Sequence, residues 1–129
     1  FFAWHSGTDR VAAIADARRE LCWRGLLQPW HTAGFLGDEQ AAWVEANWHL
    51  FLQAFLKRTD RIEGVPEPLV DSLVRNLTFA GGTDDIPRVA EELHAFAQAG
   101  LDQVALKVHG HPAEAIRLIG DRLLPAVRG

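Results

Sequence analysis

The chain has 129 residues, of which 48% are hydrophobic, and its formal net charge is −4. That length fits one domain with an ample core, and the negative charge argues against nucleic acid or an anionic membrane as a partner. The sequence has no run of about 20 apolar residues that would predict a membrane span, and its lone Cys22 excludes an internal disulfide and favours a cytoplasmic location.

The first predicted element is a strand end at residues 1–4, an apolar run that looks cut in its middle. The chain holds no Met, so we expect a truncated product rather than one whose Met was removed with a cleaved secretion signal. Thr8 or Asp9 is suited to cap the helix that follows. The mostly apolar face predicted for that helix consists of Val11, Ile14, Ala15, Arg18, Leu21 and Cys22.

Aromatic residues dominate the next predicted elements. Residues 30–37 are predicted to form a loop, in which Trp30 and Phe35 are expected to pack against another part of the structure. Asp38 is predicted to cap a long helix that continues to Leu56 with a wide apolar surface. A helix that is aromatic on so many sides is typical of a central element or of an interface.

A rigid connector at residues 65–68 is predicted to lead into a short helix and then into a brief extended piece at residues 77–80. The sequence shows no internal repeat and no flexible linker, so we predict a single domain over residues 1–129. The apolar stripe predicted for the short helix consists of Leu69, Val70, Leu73, Val74 and Leu77.

Residues 81–127 have the most regular pattern and predict a helix, a tight turn, a strand and a second helix. Gly100 suits the left-handed position after the first helix, and Pro112 suits the first turn of the second. Residues 104–108 alternate as a strand does, and we expect this strand to pair with the Phe1 segment, with residues 77–79 or with another copy of the chain. The stripe predicted for the last helix is Ile116, Ile119, Leu123 and Val127.

This C-terminal unit resembles the end of the bacterial luciferase-like family of flavin- or deazaflavin-dependent oxidoreductases. The matching residues are 82–85, 99–102, 104–108 and 123–126. The resemblance implies a helix-rich α/β fold that is the C-terminal fragment of a (β/α)8 TIM-type barrel. Residues 1–80 would be a strand end plus a helical insertion, and residues 81–129 the terminal helix–strand–helix unit. The resemblance also implies that the intact parent binds FMN or deazaflavin and a small-molecule substrate. It implies that the fragment alone binds no cofactor tightly.

The ends of the predicted strands provide the candidate site residues, although the sequence assigns no catalytic residue. In such a barrel the loops after the strands build the active site. Ordinary loop histidines, a core tryptophan and an ion pair of Lys107 inside the barrel are the alternative interpretations. The residues predicted to lie near a cofactor or substrate are Trp4, His5, Lys107, His109 and His111.

Two glycine turns precede predicted helix N-termini, whose free N–H groups can hold a phosphate. Simple helix capping is the alternative interpretation of the same turns. His109 and His111 lie two positions apart without further ligands at a suitable spacing, so no metal site is predicted. The candidate phosphate-binding residues are Gly81, Gly82, Thr83 and Gly110.

Three functions remain open at this stage. The first is the C-terminal part of a luciferase-like oxidoreductase or monooxygenase, inactive alone. The second is a small helical protein-interaction module with an aromatic interface and no catalysis, because all five Trp residues lie within the first 48 positions. The third, a stand-alone α/β enzyme, ranks last because no complete catalytic set is visible. We expect self-association through the aromatic surface, or association with the missing N-terminal half.

Overall fold

A computed structural model describes residues 2–6, 9–108 and 111–129 of the chain, with side chains from residue 9 onward within these ranges. The chain folds as two compact units. One comprises Phe1–Ile14 and Phe79–Gly129, and we call it the sheet unit. The other comprises Ala15–Thr78, and we call it the helical unit.

The described elements follow one another in an order that places most helices before the second strand. A short 3-10 turn (Thr83–Asp85) precedes the sixth helix, and a π-helical turn (Ile119–Leu123) joins the last two. In chain order the elements are β1 (Phe2–Ser6), α1 (Arg10–Glu20), α2 (Pro29–Leu36), α3 (Asp38–Ala46), α4 (Trp48–Leu56), α5 (Glu67–Leu77), β2 (Thr78–Gly81), α6 (Ile86–Gln98), β3 (Leu106–Val108), α7 (Pro112–Leu118) and α8 (Leu124–Arg128).

The described strands form a small sheet in the order β2-β1-β3. β1 and β3 run parallel, with Phe2 opposite Leu106 and Trp4 opposite Val108. The predicted pairing of the closing strand with the Phe1 segment is therefore confirmed. The strand itself is shorter than predicted, because residues 104 and 105 precede it without joining the ladder.

The prediction of a C-terminal fragment of a (β/α)8 barrel is wrong. Each strand of such a barrel lies beside the next one along the chain, with a helix between them. Here β1 lies between β2 and β3, and five described helices separate β1 from β2. The described part of the chain is mostly helical, and its strands are only three to five residues long.

The helical unit builds its core from residues of its helices and of the turns between them. The stripe predicted for α5 is confirmed, because all five of its apolar residues are buried. Thr78, just after that helix, is also buried, and its hydroxyl donates to the Val74 carbonyl at 2.7 Å. The most deeply buried apolar residues of this unit include Ala17, Leu21, Leu27, Ala41, Val44, Phe51, Ile62, Val70 and Leu73.

The loop predicted at residues 30–37 is instead the helix α2. Pro29 occupies the first turn, where its missing N–H is not needed, and Gly37 ends the helix with a φ of 83° that side chains resist. Gly37 also holds the N-cap position of α3, so the prediction that Asp38 caps that helix is wrong. Trp30 is 77% exposed, which contradicts its predicted packing.

The long helix predicted to follow is two helices, α3 and α4, which are separated at Asn47. The Asn47 side chain donates from Nδ2 to the Trp43 carbonyl at 2.8 Å and so satisfies an end of α3. Asparagine competes for backbone hydrogen bonds in this way more readily than an apolar residue does. The buried residues are Ala41 and Val44 in α3 and Phe51 and Ala54 in α4.

The first helix, α1, begins as predicted, and the predicted Leu21 and Cys22 just beyond its end are buried, but within the helix the most buried residues lie on a different face. The Asp9 carboxylate accepts a hydrogen bond from the Ala12 N–H at 3.1 Å, which confirms Asp9 as a cap. Val11 is exposed, whereas Ala13, Ala17 and Leu21, spaced four residues apart, are buried. Small alanines on this face allow packed elements to approach closely. Val11, which was predicted to face the core, is exposed to solvent instead.

The sheet unit has its own core under α6 and the C-terminal helices. α6 ends at Gly100 with a φ of 95°, so the predicted left-handed position is confirmed. Val127 at the chain end accepts at its carbonyl a 2.6 Å contact from His94 Nε2, which ties α6 to α8. The buried residues of this core are Phe79, Ile86, Val89, Ala90, Ala115 and Leu123.

The last predicted helix contains an irregularity that the sequence stripe did not anticipate. Pro112 lies in its first turn as predicted. The π-helical turn then changes the helical phase, so Leu123 is buried while Ile116 is exposed. Pro125 has no N–H for a regular helical bond, and a wider turn just before it is a known way to accommodate that loss.

Candidate interaction surface

The residues predicted to lie near a cofactor are only partly described. Lys107 is half-buried in β3, in register with Ala3 of β1. His111 is exposed at the N-cap position of α7, and no side-chain hydrogen bond or ion pair joins it to Lys107 within the described residues. His109 lies outside the described residues, and so do the side chains of Trp4 and His5. The role of this set stays a prediction.

The predicted phosphate turn holds a carboxylate of the chain itself. The Gly82 N–H donates to Asp85 Oδ2 at 2.8 Å, and Arg10 Nε donates to the same oxygen at 3.1 Å. This carboxylate already occupies the N–H group that a phosphate at the turn of Gly81, Gly82 and Thr83 would need, so a bound phosphate would have to displace it. Gly110 lies outside the described residues, and the phosphate site stays a prediction.

The described ranges contain neither a cluster of metal ligands nor a helix suited to a membrane. Within residues 2–6, 9–108 and 111–129, no three His, Cys, Asp or Glu side chains are grouped as a metal ion would require. Over the same ranges, no helix is both long enough and apolar enough to cross a membrane.

Cys22 carries the single thiol of the chain, and its buried environment makes that thiol unreactive. Burial raises the pKa of Cys22 to about 11, with a smaller contribution from the neighbouring Glu20 carboxylate. The carbonyl of Cys22 accepts a 3.0 Å hydrogen bond from Trp48 Nε1, which holds the end of α1 against the start of α4. A thiol with so high a pKa is protonated at neutral pH, so it is a poor nucleophile.

This pKa predicts a loss of stability in alkali. The ordinary thiol pKa is 9.0, so between about pH 9 and pH 11 the unfolded chain loses the Cys22 proton while the folded chain keeps it. The free energy of unfolding should fall across that window by as much as about 2–3 kcal/mol. Urea denaturation of the wild type and of Cys22→Ala at pH 8, 9, 10 and 11 measures this difference. Equal pH slopes for the two proteins would contradict the prediction.

The described tryptophan side chains all lie in the helical unit and are all strongly exposed. Their exposed fractions are 46% for Trp23, 77% for Trp30, 39% for Trp43 and 42% for Trp48. Two of them are anchored from within, because Trp48 donates to the Cys22 carbonyl and Trp23 packs edge-on against Phe55, with ring centroids 5.1 Å apart. Anchored, partly exposed aromatic rings are typical of protein interfaces.

An open groove of about 750 Å³ lies beside the start of α3. Asp38 and Glu39, in the first turn of that helix, give it a negative charge. Neither carboxylate forms an ion pair with any side chain that the structure describes. We call this the acidic groove, and its apolar lining is Leu36, Trp43, Pro66 and Leu69.

A second open groove, of about 610 Å³, lies where α1 and α4 end. Phe55 and Leu56 supply its apolar surface, and Leu56 is 68% exposed. Its charged lining is Arg19, Glu20 and Arg58. Arg19 pairs with Asp16, whereas Arg58 pairs with no described acidic side chain. We call this the basic groove.

The charges of both grooves are visible in the sequence, although only Asp38 was interpreted there, as a helix cap. Asp38 and Glu39 begin a helix and Arg58 follows the end of one, which is where the helix dipole favours each sign. Some of the apolar side chains beside these charges come from other helices. Their position depends on tertiary packing, which no local sequence pattern predicts.

Comparison of the chain with family models, curated proteins and solved structures finds no match to any of them. The resemblance to luciferase-like enzymes therefore rests on four short motifs, and it stays a prediction. Any function for the chain has to be argued from its own surface and its own side chains.

Proposed function

We propose that the chain is a small protein-interaction module whose helical unit associates with protein through its exposed tryptophans. The observation that carries this proposal is the 77% exposure of Trp30, together with the exposure of the other three described tryptophans. Tryptophan is among the residues that contribute most to binding when a partner covers them. A partner gains more from an indole than from the aliphatic residues exposed on the sheet unit.

The binding free energy expected from covering one indole supports the proposal that Trp30 lies at an interface. An indole side chain buries about 150–250 Å² when it is covered completely. At about 25 cal/mol per Å², covering the exposed part of one such ring contributes on the order of 3 kcal/mol before the cost of ordering. A micromolar dissociation constant corresponds to about 8 kcal/mol of net binding free energy, so the indoles would have to be covered together with their apolar neighbours to offset the entropic cost of association.

The redox function has weaker support from the described residues. It was inferred from a resemblance that implied a barrel, and the barrel prediction is wrong. Cys22 has a raised pKa, which disfavours it as a nucleophile. The described part of the predicted cofactor set, Lys107 and His111, shows no mutual side-chain contact. An interaction module needs none of these groups.

Analytical ultracentrifugation over a concentration series tests the proposal. We expect the wild type to associate reversibly, and Trp30→Ala to weaken the association by at least about tenfold, because an indole that the partner would cover is removed. Ile116→Ala is the matched control, since Ile116 is also exposed but lies on the sheet unit, and it should leave the association unchanged. A wild type that stays monomeric at every concentration would contradict the proposal, as would tight binding of FMN measured by quenching of flavin fluorescence.

A further inference from the structure

We propose that the partner of the helical unit is a second copy of this chain, and that the acidic groove of one copy receives the basic groove's Leu56 and Arg58 from the other. This inference rests on the proposed function and specifies its partner. Both grooves lie within the helical unit, so every copy of the chain carries both halves of the contact.

Both grooves carry apolar surface that a contact between copies would bury. Leu56 is the last residue of α4, and 68% of its surface is open to solvent where the helix ends. The acidic groove is open and concave, and its lining includes the aromatic ring of Trp43 beside Leu36 and Leu69. An exposed aliphatic side chain placed in such a groove buries apolar surface on both partners.

The acidic groove carries two carboxylates, whereas the basic groove carries Arg19, already paired with Asp16, one carboxylate, Glu20, and Arg58. Asp38 and Glu39 lack an ion-pair partner among the described side chains, and so does Arg58. Arg58 comes two residues after Leu56, so the cation would reach the rim of a groove that holds the leucine. Since the whole chain carries a net charge of −4, two copies repel at long range unless such a local pair opposes the repulsion.

Helix dipoles explain part of this arrangement but not all of it. A negative first turn in α3 and a cation just beyond α4 are favourable for each helix alone. Neither dipole accounts for a leucine left 68% exposed at the end of α4, nor for the apolar groove beside the acidic turn. A contact between copies accounts for the charges, the groove and the leucine together.

Because the contact joins two different surfaces of the chain, the number of contacts that each pair of copies exchanges determines the kind of assembly. Two copies that exchange both contacts form a closed dimer, and copies that exchange only one form a chain or a ring. In either case the association depends on concentration, and it weakens as salt screens the charges.

Charge reversal on each groove tests the inference. We expect the double variant Asp38→Lys with Glu39→Lys, and separately Arg58→Glu, each to weaken association about tenfold in ultracentrifugation at low salt. An equimolar mixture of the two proteins should associate again, because each groove then meets a groove of opposite charge on the other variant. Glu45→Lys is the matched control, since Glu45 is exposed on the same helix but does not line the groove.

The outcomes separate this inference from the proposed function. Wild-type association that neither charge reversal alters would overturn the second-copy contact and leave the interaction module standing. Variants that weaken alone and do not recover in the mixture would also overturn it. A wild type that never associates would contradict the proposed function and this inference alike. If the lysine variant unfolds, the double variant Asp38→Asn with Glu39→Gln replaces it, and circular dichroism checks that it folds. This neutral variant should weaken association less than the full charge reversal does.

Discussion

Phe51→Ala is expected to lower the free energy of unfolding by about 3–5 kcal/mol. Phe51 is 1% exposed and is among the largest fully buried side chains that the structure describes. Truncation to alanine removes the transfer energy of the ring and leaves a cavity that the surrounding helices fill only in part. Because small domains are stable by only about 5–15 kcal/mol, the loss is a large fraction of the total. Urea denaturation followed by tryptophan fluorescence measures it.

Leu56→Ala is the matched control for this substitution. It lies on the same helix, α4, and removes an aliphatic side chain that is 68% exposed. We expect it to change the free energy of unfolding by less than about 1 kcal/mol, because little buried surface is lost. Both variants should be measured at a concentration where the wild type is monomeric. Similar losses for the two would contradict the burial pattern described for α4.

Local sequence patterns predicted the helices whose ends are marked by proline or glycine. The stripe of α5 after Pro66 is buried as expected, Gly100 adopts the left-handed conformation, and Pro112 starts α7. Each of these depends on residues within one or two turns of the helix concerned. Such effects act on the chain before any distant part of it is in place.

Where the prediction failed, competing local signals pointed in different directions. Residues 30–37 contain two glycines and bulky aromatics, which suggested a loop, but Pro29 fits a helix start and Gly37 a helix end. The face predicted for α1 left out Ala13 and Ala17, which the structure buries together with the predicted Leu21 and Cys22. Hydrophobicity alone does not indicate when close packing selects a small side chain over a large one.

The barrel prediction failed for a different physical reason. A helix–strand–helix pattern fixes which segments are helix and strand, but not which strands become neighbours. Strand order depends on contacts between residues far apart in the chain, here between β1 and residues 106–108. The same local pattern is therefore compatible with several sheets, and the resemblance selected the wrong one.

Part of the candidate interaction surface was accessible from sequence. The abundance of tryptophan led to the hypothesis of an aromatic interface. The grooves were not accessible, because Pro66 and Leu69 come to lie beside Trp43 only when α5 is packed near α3. The exposure of Trp30 was also missed, since the hydrophobicity of an indole predicts burial unless its neighbours are known.

Gly81→Ala is expected to lower the free energy of unfolding by about 2–3 kcal/mol. A Cβ at this buried position would lie 2.2 Å from Asp85 Oδ2 and 2.6 Å from its Cγ, closer than atoms approach without a shift. The Asp85 carboxylate would have to move, and it would then lose the hydrogen bond from the Gly82 N–H and the ion pair with Arg10. Thermal and urea denaturation of the purified variant measure the loss.

Gly34→Ala provides a control in which the same substitution should have the opposite sign. Gly34 lies inside α2, no atom is within 4 Å of an added Cβ, and alanine favours a helix over glycine by about 0.5–1 kcal/mol. A second test combines Gly81→Ala with Asp85→Ala, which removes the group that the methyl would meet. The cost of Gly81→Ala should then shrink, because the two residues act through one contact. Additive costs in this cycle would show that the close approach to Asp85 is not what requires glycine at position 81.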